Sequence, residues 1–166
     1  LIVAFSFCGL LEGLAGFGAP VAIVAAMLVS LGLRPVKAAV VTIVGNAINV
    51  GYGAMAIPVT TAGRLGGQNP LLVAADMGHL SWIIACFVPL ILLWILDGGR
   101  GIAQLWPLAL ISGVATAAGH FVTTGFSYEL TAVLASLIGL AASYAFLLVW
   151  TPKTPDDYRS DDAQED

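Results

Sequence analysis

The hydrophobic positions of this chain fall in long blocks with short polar interruptions. Leu1–Leu11, Leu14–Leu33, Ala38–Pro58, Leu80–Leu96, Ile102–Thr124 and Leu130–Trp150 are almost wholly apolar. A helix crossing a hydrocarbon core of about 30 Å needs about 20 such residues. The first block is shorter than that, and glycine, asparagine and proline interrupt the third. The second block ends at Arg34-Pro35 and the fourth at Asp97-Gly98-Gly99-Arg100. Thr60–Pro70, rich in Gly, Asn and Gln, predicts a loop, and Leu71–His79 predicts the start of the next helix, at the interface. Trp82, Trp106 and Trp150 fall near predicted span ends and Trp94 close to Asp97, as expected for rings that favour the headgroup level. Residues 1–150 thus predict an all-α, polytopic transmembrane bundle of about five to six hydrophobic segments.

Composition agrees with the pattern. Hydrophobic residues make up 59% of the chain and charged ones 10%, with a mean hydropathy of +0.96. Soluble domains carry about 25% charged residues, so a soluble globular domain is excluded. The first residue is Leu1, inside an apolar run with no charged region before it. That is expected of a piece of a longer protein rather than of a signal peptide.

In the body, Arg34, Lys37, Arg64 and Arg100 balance Glu12, Asp76, Asp97 and Glu129. No nucleic-acid partner is expected. The formal charge of −4 comes from Thr151–Asp166, an acidic, hydrophilic tail or inter-span loop that is expected to be solvated and disordered. If the last four apolar blocks each cross once, Arg34, Lys37, Arg100, Lys153 and Arg159 share one side and Arg64 stands on the other. Basic residues favour the cytoplasm, so the tail is expected there and the protein in the plasma membrane. Arg34 and Lys37 read as anchors that snorkel to the interface. Cys8 and Cys86 sit in apolar runs and read as packing thiols; neither a metal site nor a cofactor is expected.

Two stretches break the rules for a simple span. Glu12-Gly-Leu-Ala-Gly-Phe-Gly-Ala-Pro20 combines three glycines, a proline and a carboxylate. Gly45-Asn-Ala-Ile-Asn-Val-Gly-Tyr-Gly-Ala-Met-Ala-Ile-Pro58 combines glycines, a proline and two asparagines. Gly and Pro release backbone groups from helical hydrogen bonding. Lipid cannot satisfy those groups, so such backbone must face protein or a watery cavity. Secondary transporters use half-helix ends of this kind to hold anions near the midplane; tight helix packing is the alternative use of glycine. Leu1–Leu33 accordingly reads either as two spans or as a re-entrant hairpin with Glu12–Pro20 at its tip.

These residues mark candidate site positions. Gly16, Phe17 and Gly18 form the first break, where N–H groups meet an anion. Asn46 and Asn49, three apart and so on one face of a helix, are expected to help hold the anion through their amides. Glu12 is the acidic residue placed inside the membrane, at a cost of about 2.5–3.5 kcal/mol when charged. That cost suits a group which gains and loses a proton, so Glu12 is expected to couple protons to transport. A carboxylate that merely caps its own broken helix is the structural alternative.

FSFCGLLEGLAGFGAPVAI (Phe5–Ile23), LGLRPVKAA (Leu31–Ala39), GNAINVGYGAMAIP (Gly45–Pro58) and VPLILLWILDGGRGIAQLWPLAL (Val88–Leu110) resemble the L-lactate permease family. Ala19, Tyr52 and Ala56 stand where that family often has Thr, Phe and Gly. The resemblance runs through about Leu1–Trp150. It implies a carrier that moves lactate, and often glycolate, inward with protons, built with more spans than this chain contains. The remainder of the same transporter chain is then a partner, with the lipid bilayer. A carrier of another small organic anion and a passive anion channel are the other readings. A membrane enzyme is not expected: His79, His120 and Asp76 are scattered near predicted span ends, Ser6 has no adjacent base, and no metal-ligand spacing occurs.

Overall fold

The computed structural model describes residues 1–152, and among them every regular element is helical. A π-helical turn, Val3–Phe7, leads into α1 (Cys8–Leu14). α2 (Ala19–Ser30), α3 (Pro35–Asn46), α4 (Gly53–Leu65), α5 (Pro70–Thr124) and α6 (Thr131–Val149) follow. Single 3-10 turns, Val50–Tyr52 and Tyr128–Leu130, precede α4 and α6.

The long α5 folds back on itself. Asp97 (φ −149°, ψ 21°) and Gly98 (φ 59°, ψ −143°) break the helix into two arms, residues 70–96 and 99–124. The arms run antiparallel. Gly113 lies so close to the first arm that a Cβ there would stand 2.7 Å from the Cys86 carbonyl oxygen, and the His79 and Phe121 rings meet edge-on at 6.2 Å. Small residues at such contacts let helix backbones approach, which is how apolar helices associate where lipid offers no hydrophobic drive. α5 and Tyr128–Val149 are long and apolar enough to cross a membrane.

Pro35–Asn46 and Val50–Leu65 pass the same test as a pair bent by 66°. The expected loop at Thr60–Pro70 is therefore shorter. α4 continues to Leu65, since Thr60, Thr61 and Arg64 do not oppose a helix, and Gly66–Asn69 make the turn. Asn69 then caps α5 by accepting from the Leu71 N–H at 3.0 Å. α5 starts at Pro70, so Leu71–His79 does begin this helix, and the first arm runs on far enough that Trp82 lies mid-arm and not at a span end. Its ring is part of an apolar groove with His79, Cys86 and Phe121. Trp94 and Trp150 do stand at helix ends.

Leu1–Leu33 forms two short apolar helical arms joined at residues 15–18. α2, at 12 residues, is about 18 Å long at 1.5 Å per residue, well short of the ~30 Å core. It packs back on Val3–Phe7, and Ala4, Phe5 and Cys8 share a core with Val24, Leu28, Ala38, Val41 and Leu92. The tip, residues 15–18, stops against the α3–α4 break.

The basic residues separate by end. Lys37 Nζ donates to the Leu96 carbonyl, which brings the Arg34–Lys37 corner to the α5 turn and Arg100. Trp150 and Thr151 border a cavity with Ala103 and Gln104 at that same end. Arg64 sits at the opposite end, where Gly63 abuts Pro70. Lys153, Arg159 and the rest of the acidic tail lie outside the described residues. Lys37 thus does more than anchor: it supplies a donor to a helix C-terminus that lacks intrahelical partners. Lys37→Met is expected to cost about 1 kcal/mol, read as a lower unfolding temperature of the full-length protein. Arg34→Gln, at an exposed position with no such bond, is expected to leave unfolding temperature and transport within error.

Candidate functional site

Two left-handed turns meet where α1, α2 and α4 come together. Gly16, Phe17 and Gly18 have φ of 59°, 53° and 84°; Ala54, Met55 and Ala56 have φ of 46°, 56° and 60°. Each run is followed by one residue and then a proline, Ala19-Pro20 and Ile57-Pro58, and there a right-handed helix starts. Proline suits the first turn of a helix because its missing N–H is not needed there. The two breaks are local copies of one device. They touch at Gly16, whose hypothetical Cβ would lie 2.7 Å from Ala54 N and 2.8 Å from Ala54 Cβ. Left-handed conformation costs about 1–2 kcal/mol for each non-glycine residue. Phe17, Ala54, Met55 and Ala56 therefore store about 4–8 kcal/mol that packing must offset. Strain on that scale collects at functional sites.

The carboxylate of Glu12 is buried below these turns, 3% exposed. Asn46 Nδ2 donates to Glu12 Oε2 at 2.9 Å, and the Cys8 thiol donates to Asn46 Oδ1 at 3.5 Å. Gly53 closes the other side: a Cβ there would stand 2.5 Å from Glu12 Oε1. Glu12, Phe17, Gly18, Asn46, Val50, Gly53, Ala54 and Pro58 border a cavity of about 250 Å³. The first turns of α2 and of the right-handed part of α4 open onto it, and helix N-termini favour negative charge. At about 30 Å³ per water molecule, it has room for a small hydroxy acid and several waters. Asn46→Ala would leave a buried carboxylate without its donor, at an expected cost of about 1.5–3 kcal/mol. Thermal unfolding of the full-length protein reads that cost.

Of the residues singled out from sequence, Glu12, Phe17, Gly18 and Asn46 border this cavity. Gly16 is buried behind it against Ala54, and Phe17 is 78% exposed at the tip. Asn46 and Asn49 do not lie on one continuous α-helix. α3 ends at Asn46, and the chain then turns tightly, with the Asn49 N–H donating to the Asn46 carbonyl at 3.0 Å. Their side chains part: Asn46 goes to Glu12, and Asn49 Oδ1 lies 3.2 Å from His120 Nε2.

His120 was expected near a span end, yet it is fully buried and faces the α3–α4 break. The sequence does carry a signal for it. Ser112, Thr116, His120 and Thr124 recur every fourth residue, which places them on one helix face, and all four are buried. Ser112 Oγ lies 3.4 Å from Ser6 Oγ, and Thr124 Oγ1 lies 3.4 Å from Thr131 Oγ1. Tyr52 sits over the His120 ring at a centroid distance of 5.5 Å and donates its hydroxyl to the Ala74 carbonyl at 2.6 Å.

Comparison with known proteins bears on what this arrangement serves. A family model described as L-lactate permease matches residues 1–166. The chain belongs to the L-lactate permease family. It is 41% identical over 155 residues to the L-lactate permease of Bacillus subtilis (strain 168), covering 93% of this chain and 28% of that protein. It is 38% identical over 157 residues to the glycolate permease GlcA of Escherichia coli (strain K12), covering 94% of this chain and 28% of that protein. The L-lactate permease of the same strain is 38% identical over 153 residues, covering 92% and 28%. The chain thus spans a little over a quarter of the length of these permeases, and both left-handed breaks lie inside the part it spans. No solved structure matches the chain. Family membership and the long apolar helices together make it a membrane protein.

Proposed function

We propose that the full-length protein is a secondary carrier of lactate and related small 2-hydroxy monocarboxylates, glycolate among them, in symport with protons across the plasma membrane. Residues 1–150 supply part of its membrane body. The observation that carries this reading is the meeting of two strained left-handed turns over the buried Glu12 carboxylate, around a cavity open to two helix N-termini. The names of the relatives, lactate and glycolate permeases, support the substrate class.

In this reading the carboxylate of the substrate sits at the helix N-termini near Phe17, Gly18 and the Gly53–Ala54 backbone. Gly16 lets the turns approach, and Asn46 and Asn49 hold the α3–α4 break in register with the site. A proton on Glu12 removes its repulsion of the anion, so proton and substrate favour each other's binding, and that reciprocity is what symport requires. The end bearing Arg34, Lys37 and Arg100 faces the cytoplasm, and the tail leaves from there. A membrane enzyme finds less support, because the polar groups surround a binding cavity without a nucleophile and base in contact.

Labelled lactate uptake into vesicles holding the full-length protein, with and without a pH gradient, tests the reading. Saturable uptake driven by an inward proton gradient is the expected result. Linear, non-saturable flux would indicate a channel, and no flux of lactate or glycolate would overturn the substrate class.

A further inference from the structure

We infer that His120 is a second proton-binding group of this carrier, joined to Glu12 through the α3–α4 break; the inference rests on the proton-coupled reading above. The ring is fully buried and meets the break through one atom, Nε2, 3.2 Å from Asn49 Oδ1. An amide oxygen accepts, so Nε2 carries the hydrogen and Nδ1 presents its lone pair. Among the described residues, Nδ1 is buried without a hydrogen-bond partner, and so is Thr116 Oγ1. Thr116 is one helical turn before His120, on the same face.

Thr116 is unlike its neighbours. Thr42, Thr123, Thr124 and Ser143 each donate to the carbonyl four residues earlier, at 2.7–2.8 Å. The Thr116 hydroxyl instead lies against Gly139 of α6, where any side chain would displace it. Buried polar atoms left without partners call for an explanation. Here two of them share one helix face, one a basic nitrogen and the other a hydroxyl that can donate or accept. That is what a site which binds and releases a proton requires. When Nδ1 takes a proton the ring becomes a cation with two N–H donors. Nε2–H stays on Asn49, and the Thr116 oxygen on the same helix face is available to accept from Nδ1–H once its side chain rotates. When the proton leaves, Nδ1 and the hydroxyl return to the unpartnered state of this structure.

The surroundings allow this charge to matter. Tyr52, from the break, is the titratable side chain in contact with the ring. α6 faces this region with Ser136 and Gly139, and Gly9 of α1 packs on both Ser136 and Asn49. Gly78 of the first α5 arm packs on Tyr52 and Thr124. None of these carries charge. Glu12 is the charged group beyond them, reached by Asn49 N–H to Asn46 O and Asn46 Nδ2 to Glu12 Oε2. A cation at His120 attracts an anion into the neighbouring cavity, just as a neutral Glu12 ceases to repel one. Both protonations therefore favour substrate.

The test uses the full-length protein in membrane vesicles, with labelled lactate accumulation under a pH gradient and lactate exchange at equal pH measured side by side. His120→Gln keeps a hydrogen bond to Asn49 and cannot titrate. It is expected to lose accumulation at least tenfold while keeping a measurable fraction of exchange. Thr116→Val removes the other unpartnered polar atom on this helix face, which disfavours the imidazolium. It is expected to shift half-maximal accumulation to more acid pH. Wild-type accumulation in H120Q, or loss of both accumulation and exchange in an inserted H120Q, overturns the inference. If H120Q does not insert, an unchanged pH profile in T116V overturns it. Accumulation by the wild type together with either result leaves the carrier reading standing, whereas no lactate or glycolate transport by the wild type overturns both.

Discussion

Glu12→Gln is expected to abolish pH-driven accumulation of lactate by the full-length protein and to leave part of its lactate exchange. Glutamine has nearly the shape of glutamate and can still accept from Asn46 Nδ2, which now lies 2.9 Å from Glu12 Oε2. What it lacks is a proton to gain or lose. The carboxylate borders the cavity that receives the anion. Two unit charges about 4 Å apart repel by about 4 kcal/mol at an effective dielectric constant of 20. Coupling energies between ligand sites commonly reach about 1–3 kcal/mol, or about 5–150-fold in affinity, so removing the titration is expected to cut the accumulation ratio about tenfold or more. Exchange needs no net proton movement and persists. Comparison of accumulation with exchange in one vesicle preparation reads the difference. Accumulation equal to wild type would reduce Glu12 to a structural cap for its broken helix.

Gly16→Ala is expected to be among the most damaging single-methyl changes in the chain. The residue has φ of 59°, and its Cβ would enter the space held by Ala54 N at 2.7 Å and Ala54 Cβ at 2.8 Å. The obstacle includes backbone in a turn that is itself left-handed, so it cannot rotate away as a side-chain end does. Left-handed strain of about 1–2 kcal/mol adds to overpacking of about 1–3 kcal/mol, for a total of about 2–5 kcal/mol. Gly18→Ala is the control. Its φ is 84°, yet nothing lies within 4 Å of the new methyl, so only the strain of about 1–2 kcal/mol is expected. Thermal unfolding of both variants in detergent measures the gap. Equal stability would mean that the two breaks do not touch.

Much of this architecture is legible along the chain, because the bilayer imposes a coarse rule. Apolar runs of spanning length must be helical, since lipid offers no partner to an unsatisfied backbone group. The two arms at Leu80–Leu96 and Ile102–Thr124, the turn at Asp97-Gly98 and the span at Leu130–Trp150 all follow from it. So does the irregularity of Glu12–Pro20 and Gly45–Pro58, because glycine, proline and polar side chains inside an apolar run conflict with a plain helix. The C-terminal boundary of α4 was less legible. Thr60–Leu65 has loop-like composition but no helix breaker beyond Gly63, and packing of Gly63 on Pro70 holds it helical.

Which residues share the site is a different kind of information. Asn46 and Asn49 look like one helix face until the chain turns at Ala47, a backbone choice that depends on Gly9, Glu12 and His120 arriving from other helices. His120, 71 positions from Asn49, looks isolated along the chain, although its fourfold spacing with Ser112, Thr116 and Thr124 marks a polar face. The sequence by itself determined where helices form and where they must break, because those are local balances of hydrophobicity and backbone hydrogen bonding. Only the tertiary structure decided that the two breaks meet, that Gly16 lies on Ala54, and that Glu12 and His120 belong to one network. Those are contacts between distant segments, set by which small residues allow close approach and which buried polar atoms find partners.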